Sequence, residues 1–307
     1  MNFSFGFLTP KVSMRPRLAC EIMPGGVVAG RQAEVPAMAF APLSEGMVKP
    51  GLSAPNFADP ALVAAAVKKA LDELDSREKP LTLVVPDATV RVLMMDFDSL
   101  PSKLAEALPL VRFRLRKLTP FDVDDAAISY QVMSQQADQT RVLVTVMPAA
   151  LRAEYETAVR TAGYEPGVIL SSTLASLAVL GGGSQTGDEP ALVVNRNGLS
   201  VTTAITRGNE LLLYRTLELP QNDEAGEYEE LVQTVSVATA YFEDALHMLP
   251  TALYYVGPGG AQEFARTLGP AGYDSNLHLR DLVSSAASTM TALPKGFAAG
   301  VTGALAN

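Results

Sequence analysis

Residues 190–217 alternate between apolar runs and turn chemistry in a way that predicts three short strands joined by two tight connections. Ala191–Val194 is apolar, Ser200–Thr206 is β-branched and polar like a strand with one wet face, and Leu211–Tyr214 is apolar again. Between them stand Asn195-Arg196-Asn197-Gly198 and Arg207-Gly208-Asn209, residue types that tolerate positive φ. The N-terminal part offers a similar start. Leu18–Ile22 is apolar with one acid at Glu21, Met23-Pro24-Gly25-Gly26 is a turn, and Val27–Arg31 returns as a second strand. Residues 33–58 are rich in Pro, Gly and Ala and predict irregular strands and loops.

Helical spacing appears next. Leu62, Val63, Ala66, Val67, Ala70, Leu71 and Leu74 share one face, with Asp59 placed to cap the helix and Pro60 at its first position. Leu81–Val85 reads as a strand, Pro86-Asp87 as a turn and Thr89–Asp96 as another strand. Met94 and Met95 read as strand core rather than as part of a peptide groove. Leu104, Leu108, Val111, Leu115 and Leu118 step by four and three, predicting a helix over 104–118 with Ser102 as its cap and Pro109 in its first turns. Ala127–Met133 and Val142–Met147 are strands joined by the polar turn Ser134–Thr140. A helix runs from Pro148 to Ala162 and is closed by Gly163. Val168–Leu170 is a short strand and Thr173–Leu180 a helix. Gly181–Glu189 is a linker by composition, which divides the chain into halves at 1–183 and 184–307. In the second half, Tyr228–Met248 is a long helix and Thr251–Val256 a buried strand ending in Gly257-Pro258-Gly259-Gly260. A helix over Ala261–Leu268, a strand over Asn276–Leu279 and a small-residue helix over Lys295–Leu305 follow.

Composition narrows the chemistry. The 307 residues are 48% hydrophobic and 19% charged, enough for a large core. A net charge of −9, from 24 basic and 33 acidic residues, argues against general nucleic-acid binding. Arg112, Arg114, Arg116 and Lys117 still form a local basic face, readable as a solvated helix surface or as a contact for an acidic or lipid surface. The lone Cys20 excludes an internal disulfide or a cysteine metal cluster and is expected in the core. His247 and His278 lie far apart, and neither has a matched catalytic partner. The most apolar stretch, Val168–Leu180, is too short for a membrane span and is interrupted by Ser171, Ser172, Thr173 and Ser176. The run Phe3–Leu8 has Lys11, Arg15 and Arg17 after it rather than before it, unlike a signal peptide. The expectation is a cytoplasmic protein, peripheral to the inner membrane and reaching it only through a partner.

Residues 83–133 carry a resemblance. Val85-Pro86-Asp87, Leu100-Pro101, Thr119-Pro120-Phe121, the acids from Asp122 to Asp125, and Ser129-Tyr130 occur in the order seen in the inserted subdomain of the PilM family of type IV pilus assembly proteins. Tyr255–Gly260 resembles the family's glycine turn near adenosine, and Phe297–Val301 its C-terminal Ala-Gly helix. The resemblance implies an α/β, actin-like ATPase (ribonuclease-H-like) fold related to FtsA, with two halves and a small α/β insertion at about 83–147. The cytoplasmic domain of GspL, from type II secretion, is a close neighbour.

The same resemblance implies three nucleotide-contacting turns, for ATP with Mg²⁺. At the first, Gly25 and Gly26 can cradle an anion, but Glu21 is one methylene longer than the family's Asp, Met23 replaces a Gly, and Pro24 removes an N–H donor. A hairpin turn explains the two glycines equally well. At the second, Asn195 stands where the family has Asp and cannot serve as an anionic ligand for hydrated Mg²⁺, although Gly198 and Ser200 retain turn and donor chemistry. At the third, Gly257, Gly259 and Gly260 suit close backbone approach to a nucleoside and suit a strand-to-helix turn as well. These departures predict weak or absent nucleotide binding and no efficient hydrolysis. By resemblance the chain is a scaffold of an inner-membrane assembly platform. It would form a homo-oligomer or ring and bind the N-terminal cytoplasmic tail of a PilN-like membrane protein. The alternative is a working ATP-binding or ATPase switch of a pilus or GspL-like secretion system. A sugar or acetate kinase on the same fold lacks a suitable catalytic acid.

Overall fold

The computed structural model describes residues 16–33, 37–181, 190–208, 210–221, 223–248, 250, 252–272, 278–283 and 293–306. The apolar run Phe3–Leu8 with Lys11 and Arg15, the linker beyond Gly181, Asn209, Thr251 and Asn276 lie outside the described residues.

The turn Pro24-Gly25 folds β1 (Leu18–Met23) back on β2 (Gly26–Arg31), and β3 (Ala37–Pro42) pairs antiparallel to β2. Helix α1 (Pro60–Asp72) then carries the chain across the sheet, so that β4 (Pro80–Val85) joins β1 in parallel. Its N-terminus is held as expected: Asp59 Oδ1 accepts from the backbone N–H groups of Ala61 and Leu62 at 2.9 and 3.1 Å. After an excursion, α3 (Ala149–Thr161) leads to β8 (Glu165–Ser171), parallel to β4, and α4 (Ser172–Gly181) follows directly. The strand order is β3-β2-β1-β4-β8.

The excursion is a small antiparallel sheet of β5 (Arg91–Phe97), β7 (Thr140–Met147) and β6 (Ala127–Gln135), in the order β5-β7-β6, covered by α2 (Leu104–Leu115). Leu83–Val85 lie in β4 of the large sheet. Met95 is buried beneath α2, while Met94 packs on the opposite face of the small sheet. Helix α2 turns its Ala107, Val111 and Leu115 to the sheet. It is shorter than the apolar spacing predicts: Leu104 is its first residue and Leu118 lies past its end, so both are exposed. Lys103, not Ser102, occupies the capping position.

The second half repeats the plan. β9 (Pro190–Asn197), β10 (Ser200–Arg207) and β11 (Glu210–Glu218) form an antiparallel meander; β12 (Ala252–Val256) and β13 (His278–Asp281) join in parallel, in the order β11-β10-β9-β12-β13. Helix α5 (Glu224–Leu246) begins earlier than its apolar pattern suggests, because Asp223 caps it by accepting from Gly226 N–H at 3.0 Å. It ends at His247, whose left-handed backbone (φ 55°) closes the helix. Helix α6 (Gly260–Gly272) breaks at Gly269, and α7 (Ala299–Leu305) starts four residues later than expected.

Alternation along β1 gives two layers. Leu18, Cys20 and Ile22 pack under α1 and α3 with Val67, Leu71 and Tyr155. Ala19 and Met23 face the other way, onto Ala175 of α4 and Val301 and Ala304 of α7. Helices α4 and α7 meet backbone to backbone: a Cβ on Gly303 would sit 1.9 Å from the Ala175 carbonyl oxygen. The last helix of the chain is thereby locked onto the first sheet, and Glu21 shares this inner face.

Candidate functional site

The three glycine turns converge. Gly25, Asn195, Gly198 and Gly257 line one cavity of about 120 Å³ together with Glu21, Ser172 and Phe297. The duplicated topology explains this: β1 and β9 hold equivalent positions in their sheets, so their turns face each other. The turns also fill the space between them. A Cβ on Gly25 would lie 2.9 Å from the Phe297 ring, one on Gly198 would lie 2.9 Å from Pro24 Cγ, and one on Gly296 would lie 1.7 Å from the Gly257 carbonyl oxygen.

The other four candidates point elsewhere. Gly26 abuts the Ala41 carbonyl and the Phe40 ring of the neighbouring β3. Ser200 Oγ donates to the Asn197 carbonyl at 3.0 Å and so closes its own turn. Gly259 and Gly260, at φ 76° and 74°, lead into α6, whose Ala261 N–H donates to Asp281 Oδ1 at 2.7 Å. The carboxylate of Asp281 thus occupies that helix start.

Behind the cavity lies a buried polar network that ties the two five-stranded sheets together. Ser172 Oγ donates to Glu21 Oε1 at 2.6 Å. Asn195 Nδ2 reaches Ser172 Oγ at 3.1 Å and Thr173 Oγ1 at 3.0 Å. Asp87 accepts from Thr173 N–H at 3.1 Å, from Thr173 Oγ1 at 2.6 Å and from the Tyr214 hydroxyl at 2.6 Å. Burial pushes the Glu21 carboxyl up to about 7, against the pull of the Ser172 hydrogen bond and with help from the nearby Asp87 charge. Burial also raises Asp87, despite its hydrogen bonds from Thr173 and Tyr214, and burial together with Asp87 raises the Tyr214 phenol.

A magnesium nucleotide needs space, phosphate donors and a ligand for the hydrated metal. Small-molecule sites begin at roughly 300 Å³, and the cavity is well below that. Asn195 spends its donors on the network, Arg196 is paired with Glu227, and Pro24 brings no N–H. In this arrangement Pro24 and Phe297 occupy part of the space between the turns.

A larger concavity, of about 550 Å³, opens between the small sheet and the first large sheet. Its walls include the consecutive residues Ala127–Gln131 of β6 and Pro166–Ser171 of β8. Since side chains alternate between sheet faces, an unbroken run along each strand means that the strand edges themselves face the groove. Among the described residues both are edge strands: β6 pairs with β7 and β8 with β4. Gln131 Oε1 is buried there with no hydrogen-bond partner. At one end Glu156 sits between Arg152 and Arg160; burial raises its carboxyl, and hydrogen bonds from the two guanidiniums at 2.7 and 2.8 Å bring it below the ordinary value.

Glu21 and Asn195 are visible in the sequence as turn residues, but their partners Ser172, Thr173, Asp87 and Tyr214 carry no site motif, and nor does the groove. Polar residues inside an apolar run at a strand–helix junction were the available signal, since such groups are buried only where they find partners. Cys20 is fully buried, as expected, and burial raises its thiol. His247 and His278 are exposed and join neither feature. Among the described residues no helix is long and apolar enough to cross a membrane, and no cluster of metal-binding side chains occurs.

No protein-family model matches the chain, and no curated protein matches it in sequence. Solved structures do. A chain of a PilM–PilN type IV pilus biogenesis complex superposes with a TM-score of 0.71 at 22% identity, covering 95% of this chain and 97% of that one. A Bacteroides thetaiotaomicron protein of unknown function with an actin-like ATPase fold gives 0.47 at 12% identity, covering 80% and 84%. The cytoplasmic domain of EpsL, an inner-membrane component of the Vibrio cholerae type II secretion system, gives 0.44 at 14%, covering 78% and 82%. The resemblance carried by residues 83–133 therefore extends to the whole fold: this chain has an actin-like ATPase fold, shared over nearly its full length with a chain of the PilM–PilN complex.

Proposed function

We propose that the protein is a cytoplasmic scaffold of a type IV pilus inner-membrane assembly platform, and that it binds the cytoplasmic tail of a PilN-like membrane protein. The observation that carries this reading is the groove with two open strand edges. An extended peptide adds to such an edge through main-chain hydrogen bonds, and pockets for alternate side chains provide selectivity. Gln131 Oε1, buried and unpartnered, is an acceptor waiting for a donor. The fold shared with the PilM–PilN complex supports the choice of partner. The chain reaches the inner membrane through that partner, assembles as a homo-oligomer or ring, and divides into halves at about residue 183. The turns at Gly25, Gly26, Asn195, Gly198, Ser200, Gly257, Gly259 and Gly260 are the remnant of a nucleotide site, now degenerate.

Calorimetric titration with a synthetic N-terminal tail of the host's PilN-like protein tests the proposal. Binding by the wild type and loss on Gly167→Pro, a change of the β8 backbone that lines the groove, is the expected result. Equal binding by both would sink it. The second reading, a nucleotide switch, draws on the meeting of the three turns at one cavity. It requires a Mg²⁺-dependent thermal shift with ATP; saturation at a hundred times Kd adds roughly 2.7 kcal/mol. No shift is expected.

A further inference from the structure

Two helices carry a second apolar face, turned away from their own cores. On α2, Ala107, Val111 and Leu115 are buried against the small sheet, while Leu110 and Phe113 remain 45% and 64% exposed on the outer side. Lys117, one turn beyond Phe113, has no acidic partner among the described residues. On α5, Leu231, Val235, Ala238 and Phe242 are buried, while Val237 and Tyr241, one turn apart, are each 41% exposed. Tyr241 is held in place there, its hydroxyl donating to the Leu212 carbonyl at 3.3 Å.

The two faces differ in charge. Helix α5 carries Glu224, Glu227, Glu229, Glu230, Glu243 and Asp244 and no Lys or Arg. Helix α2 and its flanks carry Lys103, Arg112, Arg114, Arg116 and Lys117 against the single acid Glu106. Several of these cations are engaged at home: Arg112 on the Val123 and Asp124 carbonyls, Arg114 on the Asp96 carbonyl and the Phe97 ring, Arg116 on Asp124. They fix the helix, and Lys117 remains free to meet an outside acid. In a chain of net charge −9, copies repel one another at long range. A basic apolar face that matches an acidic apolar face offers a specific way past that repulsion.

We propose that α2 of one copy docks against α5 of a second copy. Leu110 and Phe113 meet Val237 and Tyr241, and Lys117 lies beside Asp244, one turn beyond Tyr241. The two surfaces are different, so the contact is heterologous, and copies add head to tail into a ring or an open filament. A strip of this length belongs with transient interfaces, so assembly depends on concentration. The proposal rests on the homo-oligomeric scaffold reading and gives it its surfaces. Capture of the PilN-like tail peptide by the same variants keeps the two separable, because neither helix lines the groove.

Sedimentation velocity of the full chain, raised to about 100 µM, tests the interface with Phe113→Glu and Val237→Gln. The wild type is expected to grow beyond dimers with concentration, and each variant is expected to weaken self-association by about tenfold or more. Equimolar mixing should restore a species that stops at two, since each variant retains the face the other lacks. Lys117→Glu provides a second substitution on α2 if Phe113→Glu fails to fold. A wild type that stays monomeric throughout, variants that assemble like the wild type, or mixtures that gain nothing would each overturn the proposal. So would a monomeric wild type that floats with vesicles of anionic phospholipid and loses this on Phe113→Glu, which would give the α2 face to a membrane.

Discussion

Glu21→Gln offers a sharp test of the buried polar network behind the cavity. Glu21 is 2% exposed and accepts from Ser172 with Asp87 nearby. Its carboxyl titrates at about 7 in the fold, against 4.5 for an ordinary one. Below 4.5 it is protonated whether the chain is folded or not, and it contributes no pH dependence. Between 4.5 and 7 the unfolded chain releases the proton while the folded chain holds it, so rising pH favours unfolding. Above 7 the full penalty applies, about 3 kcal/mol at 1.36 kcal/mol per decade. Glutamine keeps the acceptor for Ser172 and never ionises. Urea unfolding of the two proteins from pH 5 to pH 8, followed by circular dichroism, should show near-equal stability at the acid end. At pH 8 the variant should be more stable by about 3 kcal/mol, a melting difference of about 5 °C or more. Asp87 is also raised, so the variant keeps part of the slope. A stability difference that stays flat across this range would refute the buried, proton-holding Glu21.

Other consequences are simpler to check. Cys20 is fully buried and its thiol is pushed up by burial, so a maleimide should label it only when the protein unfolds. Labelling of the native protein at the rate of a free thiol would contradict the core placement. Gly303→Ala forces a Cβ onto the Ala175 carbonyl and should cost about 3 kcal/mol by thermal melting; an unchanged melting point would show that α4 and α7 do not meet there. Tyr214→Phe removes a donor from buried Asp87 and should cost about 1–3 kcal/mol near neutral pH. A loss below a few tenths would mean that Asp87 does not depend on Tyr214.

Local chemistry made much of the fold legible. Asn-Gly and Gly-Asn turns between β-branched runs announced the meander of β9, β10 and β11, and Asp59-Pro60 announced α1 with its cap. The edges of elements were harder. Helix α5 begins before its apolar face does, because Asp223 caps it, and α2 ends where its sheet contact ends. The site was legible only in part. Gly25, Asn195, Gly198 and Gly257 line one cavity. Whether such turns cradle a ligand or pack against each other depends on what faces them. Phe297 and Pro24 do so here, and neither is near in sequence to the glycine it covers. The network was out of reach for the same reason: Ser172 and Glu21 are 151 residues apart, and Tyr214 and Asp87 are 127 apart. The groove is a property of strand order. Only the sheet topology makes β6 and β8 edges, because periodicity along a strand does not reveal its neighbours.

Hydrogen exchange of the full chain, with and without the N-terminal tail peptide of the PilN-like protein, tests the central claim most directly. Strand addition should slow exchange at residues 127–131 and 166–171 and leave residues 24–26 and 195–198 unchanged. Protection at the glycine turns instead, or no protection anywhere at saturating peptide, would contradict it.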